Sequence, residues 1–160
     1  MIAMLAGGSR VASLKERLAT EMRQALKAGE KVRLSALRML AAAVKYREVE
    51  LRHELSDDEL VEVATREIKR RVEAIEAYEN ADRPDRAALE REEMQTLQSY
   101  VPEGLSEDAV DALIDEAMAA TGATAPGDMG KVMRFVMDRA KGRVDGRTVQ
   151  ERVRARLADA

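Results

Sequence analysis

Apolar residues recur along the chain at steps of three and four, the spacing of one helix face, and no segment shows the period-2 alternation of a half-buried strand. Ser13 and Glu16 have the types and spacing of a capping box, in which each side chain bonds the other's backbone N–H. Ser56 and Glu59 repeat this pattern, and Gly29 suits the left-handed residue that ends a helix. The apolar stripe of the first helix is predicted as Leu14, Leu18, Met22 and Leu26. The pattern predicts an all-α fold.

Breaks in the apolar pattern divide the chain into four longer helices followed by three short ones. The strongest break is "YVPEGLS", because Pro102 forces Val101 out of the helical region and Gly104 adds freedom. The helices are predicted over about residues 14–28, 30–52, 57–81, 84–100, 107–121, 128–141 and 147–158. The predicted parts are a flexible N-terminal tail over 1–12, an N-terminal helical bundle over 13–101 and a small C-terminal three-helix domain over 106–160.

Charge is distributed unevenly along the chain. Residues 10–52 hold 11 Lys/Arg and 5 Asp/Glu, residues 53–127 hold 7 and 20, and residues 128–160 hold 9 and 5. The two ends are therefore basic and the middle is acidic. Such asymmetry can steer a polyanion to the basic parts, although a helix this charged can equally have a merely solvated face.

Composition excludes several classes of site. The chain has no Cys and one His, so thiolate metal sites and His-rich metal sites are excluded, and we expect no metal and no cofactor. No apolar run approaches the ~20 residues of a membrane span. The N-terminal "MIAMLAGGSR" is too short for a signal peptide. We expect a cytoplasmic protein that does not bind a membrane.

The stretch "GDMGKVMRFVMDRAKGRVDGRTV" combines Gly-Lys with further basic residues. Its glycines have the wrong spacing for a nucleotide-binding loop, and Val132 stands where such a loop needs a hydroxyl. As a helix the segment is consistent, with Asp128 as the N-cap residue and an apolar face toward a core. That face is Met129, Val132, Met133, Val136 and Met137.

Basic side chains and glycines then form a candidate nucleic-acid-binding surface. Basic side chains beside accessible backbone amides suit a phosphate backbone and need no base readout. Asp145 is expected to cap the last helix, and Gly130 leaves the backbone open to a close approach. Aromatic residues make up 2% of the chain, which argues against a stacking platform for single strands. The candidate residues are Gly130, Lys131, Arg134, Lys141, Gly142, Arg143, Asp145, Gly146 and Arg147.

No catalytic constellation emerges from the sequence. The "GGS" at 7–9 has no placed base, and His53 beside Glu54 suits a capping or solvated role better than a general base. The run "EIKRRVEAIE" over 67–76 indicates i, i+4 ion pairing on an exposed face. We therefore predict no catalytic residue.

Four quoted segments resemble the free-standing YqeY proteins of the GatB/YqeY family. They are "LKERLATEMRQALKAGEKVRLSALRML", "YVPEGLSEDAVDALIDEAM", "DMGKVM" and "KGRVDGRTV", and the resemblance covers about Leu14 to Leu157. It implies an N-terminal helical bundle and a C-terminal domain similar to the tail domain of the B subunit of the aspartyl/glutamyl-tRNA amidotransferase. In that enzyme the tail contacts the tRNA, and a separate large domain carries the kinase chemistry. The matching positions here are Gly130, Lys131, Lys141, Gly142, Asp145 and Gly146.

The charge pattern and the resemblance together leave three alternatives for function. The first is a non-catalytic, tRNA-associated accessory module that docks an RNA backbone through the basic C-terminal residues. The second is a subunit or partner of a glutamine-dependent carbon–nitrogen ligase, such as the tRNA amidotransferase, although nothing in the chain resembles the catalytic cradle or an amidase centre. The third is a protein–protein adaptor whose acidic middle section binds a basic partner. The expected partners are tRNA, the tRNA amidotransferase or another translation protein.

Overall fold

A computed structural model of the chain describes residues 12–160, which form seven α-helices and one 3-10 helix without a strand. The prediction of an all-helical fold is confirmed for these residues. The helices are α1 (Leu14–Ala28), α2 (Lys31–Leu51), α3 (Asp57–Asn80), α4 (Pro84–Gln98), α5 (Glu107–Thr121), the 3-10 helix (Pro126–Asp128), α6 (Met129–Ala140) and α7 (Gly146–Ala158). Except for Ala12, the predicted N-terminal tail lies outside the described residues. Between residues 12 and 160, no helix is long and apolar enough to cross a bilayer.

Local capping fixes the starts of α1 and α3. Ser13 Oγ accepts a hydrogen bond from Glu16 N at 3.1 Å, and Glu16 Oε2 accepts one from Ser13 N at 3.2 Å. Ser56 and Glu59 make the same reciprocal pair at 3.2 and 2.9 Å. Gly29 ends α1 with φ of 70°, a left-handed conformation that glycine adopts without a Cβ clash. Both predicted capping boxes are confirmed.

Contacts divide the chain into two compact units, Met1–Leu97 and Gln98–Ala160. In the first unit α1, α2 and α3 pack against one another in each pairing, and ion pairs such as Arg71–Glu93 join α4 to α3. Burial of apolar surface stabilises this unit. Its buried apolar residues are Leu18, Ala25, Ala36, Leu37, Leu40, Val44, Leu55, Leu60, Val63, Ala64, Ile75, Ala87 and Leu97.

The structure corrects the predicted exposed run at 67–76. Glu67 and Arg71 are both buried in α3, with the Arg71 side chain only 5% exposed, and they lie on the same helix face as Ile75. Val72 is exposed because it points about 100° away from Arg71, which occupies the inward position. Leu26 is exposed for the same reason, since Ala25 takes the buried position in the last full turn of α1.

In the second unit, α5, α6 and α7 pack around one core. Ser106 caps α5 by accepting a hydrogen bond from Ala109 N at 3.2 Å, and Gly122 ends it with φ of 67°. The core residues are Val110, Ile114, Ala117, Ala123, Val132, Val136, Val149, Val153 and Leu157. This packing decides which sides of α6 and α7 remain open to solvent.

Candidate nucleic-acid interface

The apolar face of α6 sets the orientation of its basic residues. Val132 and Val136 are fully buried, and Met129 and Met133 pack partly buried against the same core. Met137 Cε lies 3.6 Å from the position that a Cβ would take at Gly146. The methionines therefore fill space between helices, as their spacing predicted, and the opposite side of α6 faces solvent.

Two cationic residues lie on this solvent side of α6, and a third follows its last residue. Lys131 and Arg134 are exposed and three residues apart on one side of the helix, and the exposed Lys141 is the left-handed residue that ends α6. Lys131 Nζ lies 3.8 Å from Asp128 Oδ1. Arg134 and Lys141 make no ion pair with any residue from 12 to 160. The positive charges of Arg134 and Lys141 are therefore not neutralised by a contact within the described chain.

Asp128 does not cap α6 with its side chain, contrary to the prediction. Its carboxylate instead turns back to the preceding loop, where Oδ2 accepts hydrogen bonds from Thr124 N and Ala125 N, both at 3.1 Å. These two backbone donors lower the pKa of Asp128 below its usual value. The Asp128 carboxylate therefore holds the loop before the 3-10 helix. It does not accept a hydrogen bond from the first N–H groups of α6.

Gly130 lies exposed in the first turn of α6. A Cβ placed at Gly130 would meet nothing within 4 Å, so no neighbouring protein atom requires a glycine there. The open space beside the backbone is compatible with the close approach that the sequence predicted. A glycine here costs about 1 kcal/mol of helix propensity relative to alanine.

The turn between α6 and α7 is held by Arg143. Lys141 and Gly142 both have positive φ, 44° and 77°, and this reverses the chain. Arg143 Nε then donates to Glu103 O at 2.9 Å, and the Arg143 carbonyl accepts from Leu105 N at 2.8 Å. The guanidinium therefore anchors the turn to the segment before α5, which leaves only part of it for an external anion.

Asp145 caps α7, as predicted. Asp145 Oδ2 accepts hydrogen bonds from Thr148 N at 3.2 Å and from Thr148 Oγ1 at 2.9 Å. Gly146 is the first residue of the helix, and Arg147 follows it with an exposed side chain whose Nε lies 3.6 Å from Glu151 Oε1. The Asp145 side chain therefore stabilises the start of α7, while the Arg147 side chain is exposed to solvent.

Other arginines of this unit are neutralised by α5, which the sequence interpretation missed. Arg152 Nη1 lies 2.8 Å from Asp111 Oδ1, and Arg156 pairs with Asp115. In each pair the two partners are 41 residues apart in sequence. The helices α5 and α7 therefore run in the same direction, with each acidic residue of α5 beside an arginine of α7. The hydrogen bond that Arg152 donates to the Asp111 carboxylate is the main cause that raises the pKa of Arg152. The sequence signal for these pairs is the shared four-residue spacing, since Asp111 and Asp115 on α5 match Arg152 and Arg156 on α7.

Arg139 is also engaged within the unit. Its Nη1 lies 2.6 Å from Glu116 Oε1, and its guanidinium stacks 4.4 Å from the centroid of the Phe135 ring.

The unit as a whole is not basic, because residues 98–160 hold 9 Lys/Arg and 11 Asp/Glu, a net charge of −2. The cations without a partner in the described chain lie on the sides of α6 and α7 that turn away from α5, where the exposed Asp138 also lies.

One further residue belongs to this surface. Arg154 is exposed, lies seven residues after Arg147 on the same side of α7, and makes no ion pair with the described residues. We define the cationic face as Lys131, Arg134, Lys141, Arg147 and Arg154. Amines and guanidinium groups with this exposure can bind phosphate oxygens without reading bases.

Comparison with known proteins identifies the family and a similar protein. Residues 15–157 match the family described as "Yqey-like protein". An uncharacterised protein of Schizosaccharomyces pombe is 26% identical over 103 residues, which cover 64% of this chain and 84% of the yeast protein.

Proposed function

Because the chain belongs to the YqeY-like protein family, we propose that it is a non-catalytic accessory module that docks an RNA backbone, with tRNA as the RNA. The proposal includes a role for the Gln98–Ala160 unit like that of the amidotransferase B-subunit tail, which the sequence resembles. It assigns no reaction to the chain itself.

The cationic face carries this proposal. Its five side chains are exposed, and Arg134, Lys141 and Arg154 are free of ion pairs within the described chain. The other arginines of α6 and α7 have carboxylate partners on α5. Those paired arginines connect helices within the unit, whereas the unpaired cations can bind an external anion. Available cations on the exposed sides of α6 and α7 suit contacts with phosphates.

Backbone contact without base recognition fits the chemistry of the face. Lysine and arginine bind phosphate oxygens, whereas discrimination among bases needs side chains that reach base edges or stack on them. Phe135, the single Phe of the chain, is partly buried and lies under Arg139. The proposed binding is therefore tolerant of sequence and strongly dependent on salt.

A titration of the purified full chain with bulk tRNA tests the proposal. Measured by filter binding at 50 and 200 mM salt, the affinity should fall as counterions compete for the phosphates, by a factor on the order of ten or more for three or more contacts. Absence of binding at 50 mM salt would overturn RNA docking. In parallel, the same preparation should give no glutaminase or ATPase turnover, and real turnover would overturn the non-catalytic assignment.

A further inference from the structure

The side of α2 opposite its core contacts carries three large exposed apolar side chains in line. Met39, Tyr46 and Val49 are 48%, 69% and 70% exposed, and separations of seven and three residues place them on one side of the helix. Ala42 and Ala43 lie between them. We call Met39, Ala42, Ala43, Tyr46 and Val49 the α2 strip.

The α2 strip is not an extension of the core. Leu37, Leu40 and Val44 are the buried residues of α2, and helical geometry directs them away from Tyr46 and Val49. A helix with apolar residues on two sides uses one side for its own fold, and the second is free for another partner. Three large apolar side chains in a row are more than the scattered exposed leucines that soluble proteins usually show.

A groove borders the α2 strip on the side of α3. It has a volume of about 510 Å³, and each wall is a row at i, i+3, i+4 and i+7 spacing. The α2 wall is Ala43, Tyr46, Arg47 and Glu50, and the α3 wall is Val63, Arg66, Glu67 and Arg70. A depression between two such rows accepts the side-chain ridge of a third helix.

Cations flank the α2 strip on both edges. Arg38 and Lys45 lie on one edge, seven residues apart on α2, and Arg66 and Arg70 line the other edge on α3. Arg38 and Arg66 make no ion pair with the residues that the structure describes.

The carboxylates of the groove are already engaged. Glu50 lies 2.9 Å from Arg47, and Glu67 lies 2.9 Å from Arg70. Arg38, Lys45 and Arg66 are therefore left for an external partner, whereas Arg70 is already paired with Glu67.

From this arrangement we propose that the α2 strip and its groove dock an amphipathic helix of a partner protein, with an apolar ridge and acidic flanks. The ridge covers Met39, Tyr46 and Val49, and the acidic flanks pair with the cations at the two edges. A second copy of the chain is the wrong occupant, because a symmetric contact brings cationic edges against cationic edges. RNA is disfavoured because Met39 and Val49 offer it no polar contact.

Two designed peptides provide the probe. Both are 18-residue fluorescein-labelled helices with leucines at heptad a and d positions, one with glutamate and one with lysine at the flanking positions. Fluorescence anisotropy with the full chain should show at least about tenfold tighter binding of the glutamate peptide. Amide NMR shifts on its addition should be confined to the α2 strip and to the α3 wall of the groove.

Matched variants locate the binding surface. Tyr46→Ser with Val49→Ser should weaken the glutamate peptide about tenfold, and Leu26→Ser, at an exposed apolar residue of α1, should not. Arg38→Gln with Arg66→Gln should reduce the preference for glutamate over lysine, whereas Lys27→Gln with Lys31→Gln should leave it unchanged. Circular dichroism verifies that each variant keeps its helical content.

Several results would overturn the proposal. Equal affinity for the two peptides, or binding that is indifferent to the strip variants, would remove the acidic helix as occupant. A concentration-dependent dimer that Tyr46→Ser abolishes would assign the surface to a second copy. NMR shifts of the strip on addition of bulk tRNA, without shifts from the glutamate peptide, would assign it to nucleic acid. The outcome is independent of RNA docking, which is proposed for the other unit.

Discussion

Arg71 Nη2 lies 3.2 Å from Glu93 Oε2, and this pair joins α3 to α4 in the interior of the first unit. The same guanidinium has Glu67 Oε2 at 3.6 Å and donates to Met39 Sδ at 3.3 Å, while its buried Nε has no hydrogen-bond partner in the described structure. Burying an arginine is costly unless carboxylates compensate its charge. Glu67 and Glu93 do so here, and the exposed Arg70 also pairs with Glu67.

Removing Arg71 alone should destabilise the first unit strongly. Arg71→Met leaves Glu67 and Glu93 close together without the cation between them, and losing one partner of a buried ion pair typically costs about 3–5 kcal/mol. Urea unfolding followed by circular dichroism measures the change in the free energy of unfolding. Arg70→Met is the matched control, because the Arg70 side chain is 73% exposed and its pair should contribute at most about 1 kcal/mol.

The triple variant Arg71→Met, Glu67→Gln and Glu93→Gln distinguishes charge from packing. If the loss in Arg71→Met comes from uncompensated carboxylates, the triple variant should recover most of it. A triple variant as unstable as Arg71→Met would show that the shape of the arginine side chain matters more than its charge.

Glu48 should make the stability of the first unit depend on pH. Glu48 Oε1 accepts hydrogen bonds from Lys15 Nζ at 2.6 Å and Leu55 N at 3.1 Å, and these donors, Lys15 first, lower the pKa of Glu48 below its usual 4.5. A carboxylate whose pKa is lower in the folded state than in the unfolded state stabilises the fold at pH values above the unfolded-state pKa. This stabilisation is lost as the pH falls through the folded-state pKa. Glu48→Gln should therefore cost about 1–2 kcal/mol at pH 7 and much less near pH 3.

The control for Glu48 is Glu54, whose carboxylate lies 3.4 Å from the same Lys15 Nζ but is almost fully exposed. Glu54→Gln should change the free energy of unfolding by only a few tenths of a kcal/mol at either pH. A Glu48→Gln penalty that stays constant from pH 7 to pH 3 would contradict an origin in the ionised carboxylate.

The helix starts could be predicted from sequence because their determinants are local. Ser13 with Glu16, and Ser56 with Glu59, are three residues apart, and each pair satisfies its own backbone N–H groups without help from the rest of the fold. The capping role of Asp145 was predictable for the same reason. Asp128 was not, because the loop before it offers two N–H donors that compete with those of α6.

Burial of charge could not be predicted in the same way. Glu67 and Arg71 have the spacing of an exposed ion pair, and their burial depends on Glu93, which is more than 20 residues away in sequence. The availability of each arginine in the candidate interface likewise depends on α5. The sequence shows which residues are basic but not which of them are paired. Arg152 and Arg156 have partners 41 residues earlier, whereas Arg154, which lies between them and has no ion pair within the described residues, was not predicted as a binding residue.

Asp145 should matter for the fold and not for RNA. Loss of an N-cap side chain costs about 1 kcal/mol, so Asp145→Ala should destabilise the second unit by that amount, while Asp145→Ser, which keeps a capping oxygen, should cost less. Neither change removes a cation, so tRNA affinity should not fall in either variant. A fall in affinity for Asp145→Ser as well as Asp145→Ala would give Asp145 a direct role in binding.

Releasing the α5 pairs should strengthen RNA binding. Asp111→Asn with Asp115→Asn frees Arg156, leaves Arg152 paired with Glu107 alone, and makes the unit more positive by two charges, so tRNA affinity should rise several-fold at 50 mM salt. Glu62→Gln with Glu73→Gln makes the same charge change on exposed positions of α3 and should have a smaller effect. Equal effects in both variants would indicate attraction to net charge alone.

Neutralising the α6 row should lower both tRNA affinity and its salt dependence. Lys131→Gln, Arg134→Gln and Lys141→Gln remove three of the five cations of the cationic face, and each lost phosphate contact reduces the slope of log affinity against log salt by about 0.7–0.9. The expected decrease in slope is thus about 2–3. The matched control, Lys27→Gln with Lys31→Gln and Lys69→Gln, removes three exposed lysines of the other unit that have no ion pair within the described residues. If the control lowers the slope as much as the α6 variant does, binding is not localised to the cationic face.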